Sequence, residues 1–436
     1  MNILLLGSGG REHAFAWKLK QSKLCTNLYI SPGNAGTSQL GENTDISVND
    51  FGSIKKVCLR KKIDLVFVGP EEPLVKGIYD YFKNDKQLKK TILIGPSREA
   101  AQLEGSKSFA KAFMQRHNIP TAAYQSFDVN SYIEGVEYIK NHSLPIVLKA
   151  DGLAAGKGVL ICLNHIEAIG EFELMIQNAK FGDAGKKVVV EEFLSGLEVS
   201  VFVLTDGENY LLFPEAKDYK RVGDSDTGLN TGGMGAISPV PFAGEAFMQK
   251  VITRIIEPTI AGLQKENLVY KGFIFFGLIK VDDEPSVIEY NCRMGDPESE
   301  VVLLRLRNDL VKLFVAASEE KLNEEKIIID PRYAATIMAV SGGYPGEYEK
   351  GKIIDFGYLE NPDSKKHIEA DGGVVVFHAG TKKVGGEIVS NGGRVLAVSA
   401  LGDTLAEAVE LSKEILGQIY FDDMHYRTDI GYEFIR

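Results

Sequence analysis

Four short apolar runs in the first hundred residues, NILLLG, LYISPG, IDLVFVGP and TILIGP, each close on a turn bearing glycine or proline. A helical stretch, REHAFAWKLKQS, separates the first two, and longer polar stretches separate the others. Short β-branched runs alternating with helices make βαβ units, and these assemble into an open parallel sheet. The ligand crevice of such a sheet lies beyond the carboxyl ends of its strands. Those ends read GSGG, SPGNAG, VGPEEP and IGPS, so four glycine-bearing loops are expected to face one crevice.

The 436 residues suffice for about three domains. From Lys107 the pattern changes to a helix, SFAKAFMQRH, with a breaker at Asn118 to Pro120. Residues 145–163 then read strand, loop, strand (PIVLKAD, GLAAGKG, VLICL), followed by a helix from about His165 to Lys180 and the strand KKVVVEEFL. This small unit is expected to be a lid. VITRIIEPTIAGLQKE reads as a long amphipathic helix, GFIFFGLIKV and SVIEYN as strands, and DLVKLFVAASEEKL as a helix, which together would form the body beneath it. After Asp330, short strands separated by Gly pairs and a closing helix, TLAEAVELSKEILGQIY, point to a third, β-rich domain.

Composition excludes several partners. With 49 Lys and Arg against 60 Asp and Glu, a net charge of −11 leaves no chain-wide footprint for nucleic acid. The apolar stretch Gly272 to Ile279, bounded by Lys271 and Lys280, falls far short of the ~20 residues a membrane helix needs and reads as a buried strand. Met1 to Leu6 is too short and insufficiently basic for a secretory signal. The four cysteines form no CxxC pair, so neither a zinc knuckle nor a disulfide framework is expected, and a reducing cytoplasm fits.

GSGGREHA opens a helix straight after the first strand, where backbone amides and the positive helix end can receive an anion. The dinucleotide fingerprint needs a third glycine where this chain has Glu12, and Ser31, Pro32 and Gly33 replace its acidic ribose partner. A monophosphate fits better than NAD. KADGLAAGKGV is no P-loop, since a strand follows it. A glycine-rich hairpin of this kind can still close over a triphosphate, with Gly156 and Gly158 admitting the backbone and Lys149 and Lys157 supplying charge. Glu191 and Glu192 end an apolar strand and Glu198 follows its turn; alone this segment reads first as an exposed acidic strand end, and the neighbouring hairpin is what raises the reading as an adenine and ribose edge.

In SVIEYNCRMGDPESE, residues Glu289, Asn291 and Arg293 are spaced by two and project to one face of a strand. A carboxylate and an amide oxygen suit a magnesium ion shared with phosphates, and the adjacent arginine can neutralise a transferred phosphoryl group. A buried Glu–Arg pair would explain the spacing too, but not the Gly295, Asp296, Pro297 and Glu298 that follow. Residues 218–239 read as a long polar loop in which Lys220 and Arg221 can bind a phosphate or acyl phosphate. His13, His165 and His378 show no metal-ligand spacing.

Taken in order, GSGGREHA, PGNAGT, VGPEEPLVKG, LEGSK, KADGLAAGKGV, DTGLNTGGMGA and NCRMGDPE closely resemble the bacterial glycinamide ribonucleotide synthetases of the ATP-grasp superfamily, from Met1 to about Tyr432. The resemblance implies an α/β chain with three parts: an open parallel-sheet domain over 1–103, an ATP-grasp body over 104–328 with a lid at about 122–192, and a β-rich domain over 329–436. It implies ATP-dependent joining of glycine to 5-phospho-D-ribosylamine through glycyl phosphate, with Mg²⁺ or Mn²⁺, in the cytoplasm. The partners would be small molecules, not nucleic acid or membrane, and the chain a monomer or small homo-oligomer.

By position in those motifs, Lys107 and Lys149 would hold the ATP phosphates with Gly156 and Lys157 of the lid. Glu191 and Phe193 would hold adenine, Glu198 the ribose, and Glu289 and Asn291 the metal. Arg293, with Lys149, would act on the acyl phosphate. Gly9, Gly10, Arg11, Asn34 and Glu71 would line the phosphoribosylamine pocket, with Lys220, Arg221 and Asp296 as further substrate contacts. Tyr219, Leu229 and Met294 depart from the usual His, Pro and Phe; none removes a ligand. The alternatives are another ATP-grasp acid–amine ligase or carboxylase, a nicotinamide-dependent oxidoreductase, and a non-catalytic nucleotide sensor.

Overall fold

A computed structural model describes residues 1–154, 158–178, 180–360 and 373–435. The apolar runs at the N-terminus pair in parallel as expected, in the spatial order Glu42–Asn43, Asn27–Pro32, Asn2–Gly7, Leu65–Val68, Ile92–Pro96. The sheet does not end there. Pro96 and Gly95 pair antiparallel with Tyr270 and Lys271, the first residues of the strand Tyr270–Val281. That strand continues the sheet through Leu197–Thr205 and Tyr210–Leu212, and its other edge takes Glu284–Asn291. Nine strands therefore form one sheet spanning both of the first two sequence regions. The backbones meet closely at the junction: a Cβ on Gly272 would lie 3.1 Å from Gly95 Cα.

A four-stranded antiparallel sheet, Tyr124–Asp128, Lys187–Glu192, Ile146–Ala150 and Val159–Cys162, makes a separate unit. Helices Tyr132–Asn141 and His165–Ile176 cover it, and Phe127, Ile139, Phe172 and Met175 form its own small core. A six-stranded sheet holds Tyr333–Ser341 and Arg394–Gly402 at its centre, backed by helix Leu405–Leu416, which Thr404 and Glu407 cap reciprocally. Its two outer strands on one side are Lys217–Asp218 and Gly235–Ser238, which precede the rest of the sheet by about a hundred residues. The stretch read as a 218–239 loop is therefore strand, then a hairpin of Arg221–Gly223 and Thr227–Asn230, then strand.

The helix expected over VITRIIEPTIAGLQKE runs as Glu245–Val251 and Glu257–Lys265, joined by a π-helical stretch at Ile252–Ile256. Pro258 follows that stretch; it has no N–H to donate and its ring crowds the preceding turn, and the wider turn accommodates both. The largest core spans regions rather than belonging to one. Phe67 of the parallel sheet stacks on Phe314 of helix Leu310–Ser318 at 5.1 Å, and Phe273 meets both rings edge-on at 6.1 and 6.0 Å. Among the described residues, no helix is long and apolar enough to cross a membrane.

Asp330 pins the entry into the six-stranded sheet. Its carboxylate, 2% exposed, accepts the Arg332 N–H and guanidinium at 3.0, 3.1 and 2.9 Å and pairs with Arg307. The Arg332 hydrogen bonds outweigh burial and hold this carboxyl down to about 2. A carboxyl lowered on folding stabilises above its unfolded value of about 3.9 and loses that contribution as pH falls through its folded value. Urea unfolding at pH 7 should show Asp330→Asn less stable by ~1–3 kcal/mol, the gap narrowing as pH drops from about 5 toward 2. A gap unchanged at the acid end would contradict this.

Candidate active site

Helix Lys107–Arg116 brings the first charges. Ser106 caps it by accepting the Phe109 N–H. Asp151, just beyond the strand Ile146–Ala150, accepts the Ser108 N–H at 2.6 Å, tying the helix end-on to the four-stranded unit. Lys107 and Lys111 are four residues apart, so they share a helix face and both line one cavity of about 150 Å³. Burial pulls the Lys107 ammonium down from its usual range, against the opposing pull of Glu289.

Across the cavity, Lys149 lies opposite Val189 in the sheet, which makes Glu191 its diagonal neighbour on the same face. Glu191 Oε2 pairs with Lys149 Nζ at 2.9 Å and Lys111 Nζ at 3.0 Å, while its Oε1 is buried without a hydrogen bond. The floor is Glu284–Asn291. Its register against Tyr270–Val281 slips by one residue, so Gly277 faces Glu289, Leu278 faces Val287, and Ile288 stands unpaired. The Ile288 carbonyl takes Lys149 Nζ at 3.1 Å. Glu289 and Asn291 project together as the spacing predicts, with Asn291 Nδ2 at 3.4 Å from Glu289 Oε1.

Arg293 closes the far end between two carboxylates, Glu71 at 3.4 Å and Glu104 at 3.1 Å. Glu71 opens the helix Glu71–Val75 after the strand Leu65–Val68, so this pair joins the N-terminal sheet to the body. Burial would raise the Glu71 carboxyl, but Arg293 and Arg11 hold it below its usual range. Glu104 also accepts the Cys292 N–H at 2.7 Å and its thiol at 3.0 Å, and burial pushes its carboxyl up.

A second crevice, of about 420 Å³, lies between the first two parallel-strand loops and the β-rich region, with Gly9, Asn34, Asp296, Tyr344, Thr381 and Arg394 among its lining. Glu12 folds back over the GSGG loop: its carboxylate accepts the Gly9 N–H and Arg11 Nε, both at 2.6 Å. A Cβ on Gly7 or Gly69 would strike it at 2.3 or 2.2 Å. Glu12 stands where the dinucleotide fingerprint has its third glycine, and its side chain fills the space between helix and strand ends that the glycine would leave for close packing, a physical argument against the nicotinamide alternative. Arg11 Nη1 reaches the Met294 carbonyl at 3.2 Å. Asn34 accepts the Gly36 and Thr37 N–H groups and donates to the carbonyls of Ser8 and His378, so its side chain is committed to holding the crevice together.

Lys107, Lys149, Glu191, Glu289, Asn291, Arg293 and Glu71 thus share the first cavity, and Gly9, Asn34 and Asp296 the second. Gly10 begins the helix Gly10–Lys20 beside them. Gly156 and Lys157 lie outside the described residues. Phe193 is 39% exposed and lines neither space. Glu198 pairs with Lys220 at 2.6 Å, and Lys220 also reaches Asp218 at 3.2 Å. Arg221 donates to the Gly228 carbonyl across its hairpin. Sequence reading missed Lys111, Glu104 and Arg394. Lys111 was signalled by its four-residue offset from Lys107, and Glu104 by its place in LEGSK; Arg394, in NGGRVL, carries no local signal.

Family models described as the N, ATP-grasp (A) and C domains of phosphoribosylglycinamide synthetase match residues 1–104, 105–299 and 334–433. The chain belongs to this family. It is 45% identical to a phosphoribosylamine–glycine ligase of Yersinia pestis over 441 residues, covering 100% of this chain and 99% of that one. A crystal structure of the Thermotoga maritima phosphoribosylamine–glycine ligase superposes with a TM-score of 0.83 at 33% identity, covering 98% and 100% of the two chains. A biotin carboxylase of Campylobacter jejuni, 16% identical with a TM-score of 0.71 over 98% and 92%, shares the fold.

The Arg293 cluster orders two substitutions in this synthetase-family chain. Glu104→Ala strands a buried guanidinium and a backbone N–H together and should destabilise by ~2–4 kcal/mol. Glu71→Ala, at a carboxylate 32% exposed, should cost less. Denaturant midpoints in the reverse order would contradict the assignment of Glu104 as the inner partner.

Proposed function

We propose that this chain joins glycine to 5-phospho-D-ribosylamine, converting ATP to ADP and inorganic phosphate and yielding glycinamide ribonucleotide. The observation that carries the reading is one segment serving two spaces. Glu289, Asn291 and Arg293 line the cavity of buried lysines, while Asp296, three residues on, lines the crevice at the parallel-strand loops. A nucleotide in the first and a phosphoribosylamine in the second would meet at Arg293. The same reading divides the chain at 1–103, 104–328 and 329–436, and the separate core of the four-stranded unit supports a lid over about 122–192.

Lys107 and Lys149 would offset phosphate charge, and Glu191 would take the adenine amino group on its unpartnered oxygen. Phe193 and Glu198, beyond the described cavity, would reach adenine and ribose only with the lid residues closed over them. A glycine carboxylate oxygen attacks the γ-phosphorus and ADP leaves, giving glycyl phosphate. The ribosylamine nitrogen then attacks the glycyl carbonyl, phosphate departs with that oxygen, and the nitrogen loses a proton. Arg293, held by Glu71 and Glu104, would face the transferred phosphoryl group throughout, so catalysis is positioning and charge stabilisation in a water-excluding site.

Glu289 and Asn291 would hold Mg²⁺ or Mn²⁺. The donor set fits: a carboxylate and an amide on one strand face, with no group of three or more His, Cys, Asp or Glu among the described residues able to hold a metal alone. Glu289 and Asn291 would thus supply two oxygens toward a metal shared with the phosphates, whose charge the metal would help to spread. Four cysteines without disulfides fit a reducing cytoplasm.

ADP release should require glycine and freshly made phosphoribosylamine together, with glycinamide ribonucleotide as product. Release that ignores glycine and follows another acid would replace this reading with a different ATP-grasp ligation. Glu289→Ala should lower turnover by more than a hundredfold with an unchanged melting midpoint, since its exposed carboxylate buries no apolar area. Near-normal turnover at matched magnesium would remove Glu289 from the metal site.

A further inference from the structure

Lys111 is a buried cation that the ligation chemistry leaves without a task. It is 2% exposed, and counting donors separates it from Lys149. An ammonium has three N–H bonds. Those of Lys111 go to Glu191 Oε2 at 3.0 Å, Thr121 Oγ1 at 2.8 Å and the Ala122 carbonyl at 3.3 Å, so none is left for a ligand. Lys149 ion-pairs with Glu191 Oε2 at 2.9 Å and donates to the Ile288 carbonyl at 3.1 Å, which leaves it donor capacity for a ligand. Burial draws the Lys111 ammonium down to about 8, with Glu191 opposing and Lys149 adding to the fall. Such a group persists only where its partners are fixed. Here they are: Thr121 Oγ1 donates to the Val287 carbonyl at 2.6 Å, and Glu191 sits mid-sheet between Tyr124 and Val147.

The consequence falls on Glu191. Both lysines hold the same oxygen, Oε2, which leaves Oε1 buried and unpartnered on a residue that lines the cavity. A carboxylate oxygen in that state gains from any donor offered to it and is repelled by an acceptor. Purine nucleotides differ at this point. A 6-amino group offers N–H donors; a 6-oxo group offers an acceptor.

We propose that Lys111 is a positioning residue for base selection: by anchoring Glu191 Oε2 it turns Oε1 toward the nucleotide as a dedicated acceptor for a 6-aminopurine. The inference rests on the nucleotide-binding reading of the first cavity. It assigns Lys111 no contact with the nucleotide and no part in phosphoryl transfer, unlike Lys107 and Lys149.

Equilibrium binding of ATP and of inosine triphosphate, which differ at the 6-position, tests this without requiring turnover. The full-length wild-type chain should prefer ATP at least tenfold, and Lys111→Met should lose at least tenfold in ATP affinity while inosine triphosphate changes less than twofold. Turnover at saturating ATP and the KM values for glycine and phosphoribosylamine should stay within twofold. Lys111→Arg, which keeps a charged donor, should recover the preference. Were Lys111→Met not to fold, Glu191→Gln keeps the shape and places an amide at the cavity wall; it should equalise or reverse the preference. No preference in the wild type, or an undiminished one in folded Lys111→Met or Glu191→Gln, overturns the proposal. A wild-type chain that prefers ATP yet forms no glycinamide ribonucleotide instead overturns the ligase reading and leaves this one standing.

Discussion

The antiparallel pairing of Gly95 and Pro96 with Lys271 and Tyr270 is the constraint on which the rest of the architecture depends. Two backbone neighbours convert what would be two sheets into one of nine strands. A rigid sheet transmits position, so the loops at the carboxyl ends of the parallel strands are held in register with the end of Glu284–Asn291. That is why Glu71, just beyond the strand Leu65–Val68, meets Arg293, more than two hundred residues later. The glycine pair at the junction is part of the same constraint, since side chains there would hold the strands apart. The shared core of Phe67, Phe273 and Phe314 then locks the joint from one face.

The site assembled on that joint concentrates charge where water is scarce, and its stability depends on pairing. Buried ions are costly unless geometry is good and their remaining donors and acceptors are satisfied. Arg293 lies between Glu71 and Glu104, Arg11 against Glu12, and Glu191 between Lys111 and Lys149. The pairing is incomplete in places that matter to a ligand. Glu191 keeps a bare oxygen, Lys149 keeps donor capacity, and Glu289 remains exposed. Phosphates, a metal and a purine would complete the set, and preorganised charges of this kind stabilise a transition state without reorganising.

Much of this was readable from local pattern. The βαβ rhythm announced the parallel sheet because burial on both faces leaves continuous apolar runs, and the two-residue spacing announced one strand face for Glu289 and Asn291; the strand ends at Asn291, so Arg293, expected on the same strand face, reaches the cavity from the turn that follows. What escaped was long-range. Gly235–Ser238 is only four residues, and its partner is about a hundred residues away in Tyr333–Ser341, so it read as loop. Glu12 was noted as a missing glycine, but its fold back over Gly7 and Gly69 depends on two strand ends meeting, some sixty residues apart in the chain. Asn34 was placed at the substrate pocket by its motif; that its side chain also bonds Ser8, Gly36, Thr37 and, in the β-rich region, His378 was not legible in the motif.

Where the two spaces meet, a phosphoryl group would pass from nucleotide to glycine and then be displaced by the ribosylamine. Glycine labelled with ¹⁸O in both carboxylate oxygens follows that path directly in a complete reaction with ATP and phosphoribosylamine. Each inorganic phosphate released should carry one ¹⁸O, and the amide oxygen of the product should keep the other. Unlabelled phosphate, with product still formed, would show that the glycine carboxylate never attacks the nucleotide and would contradict the account.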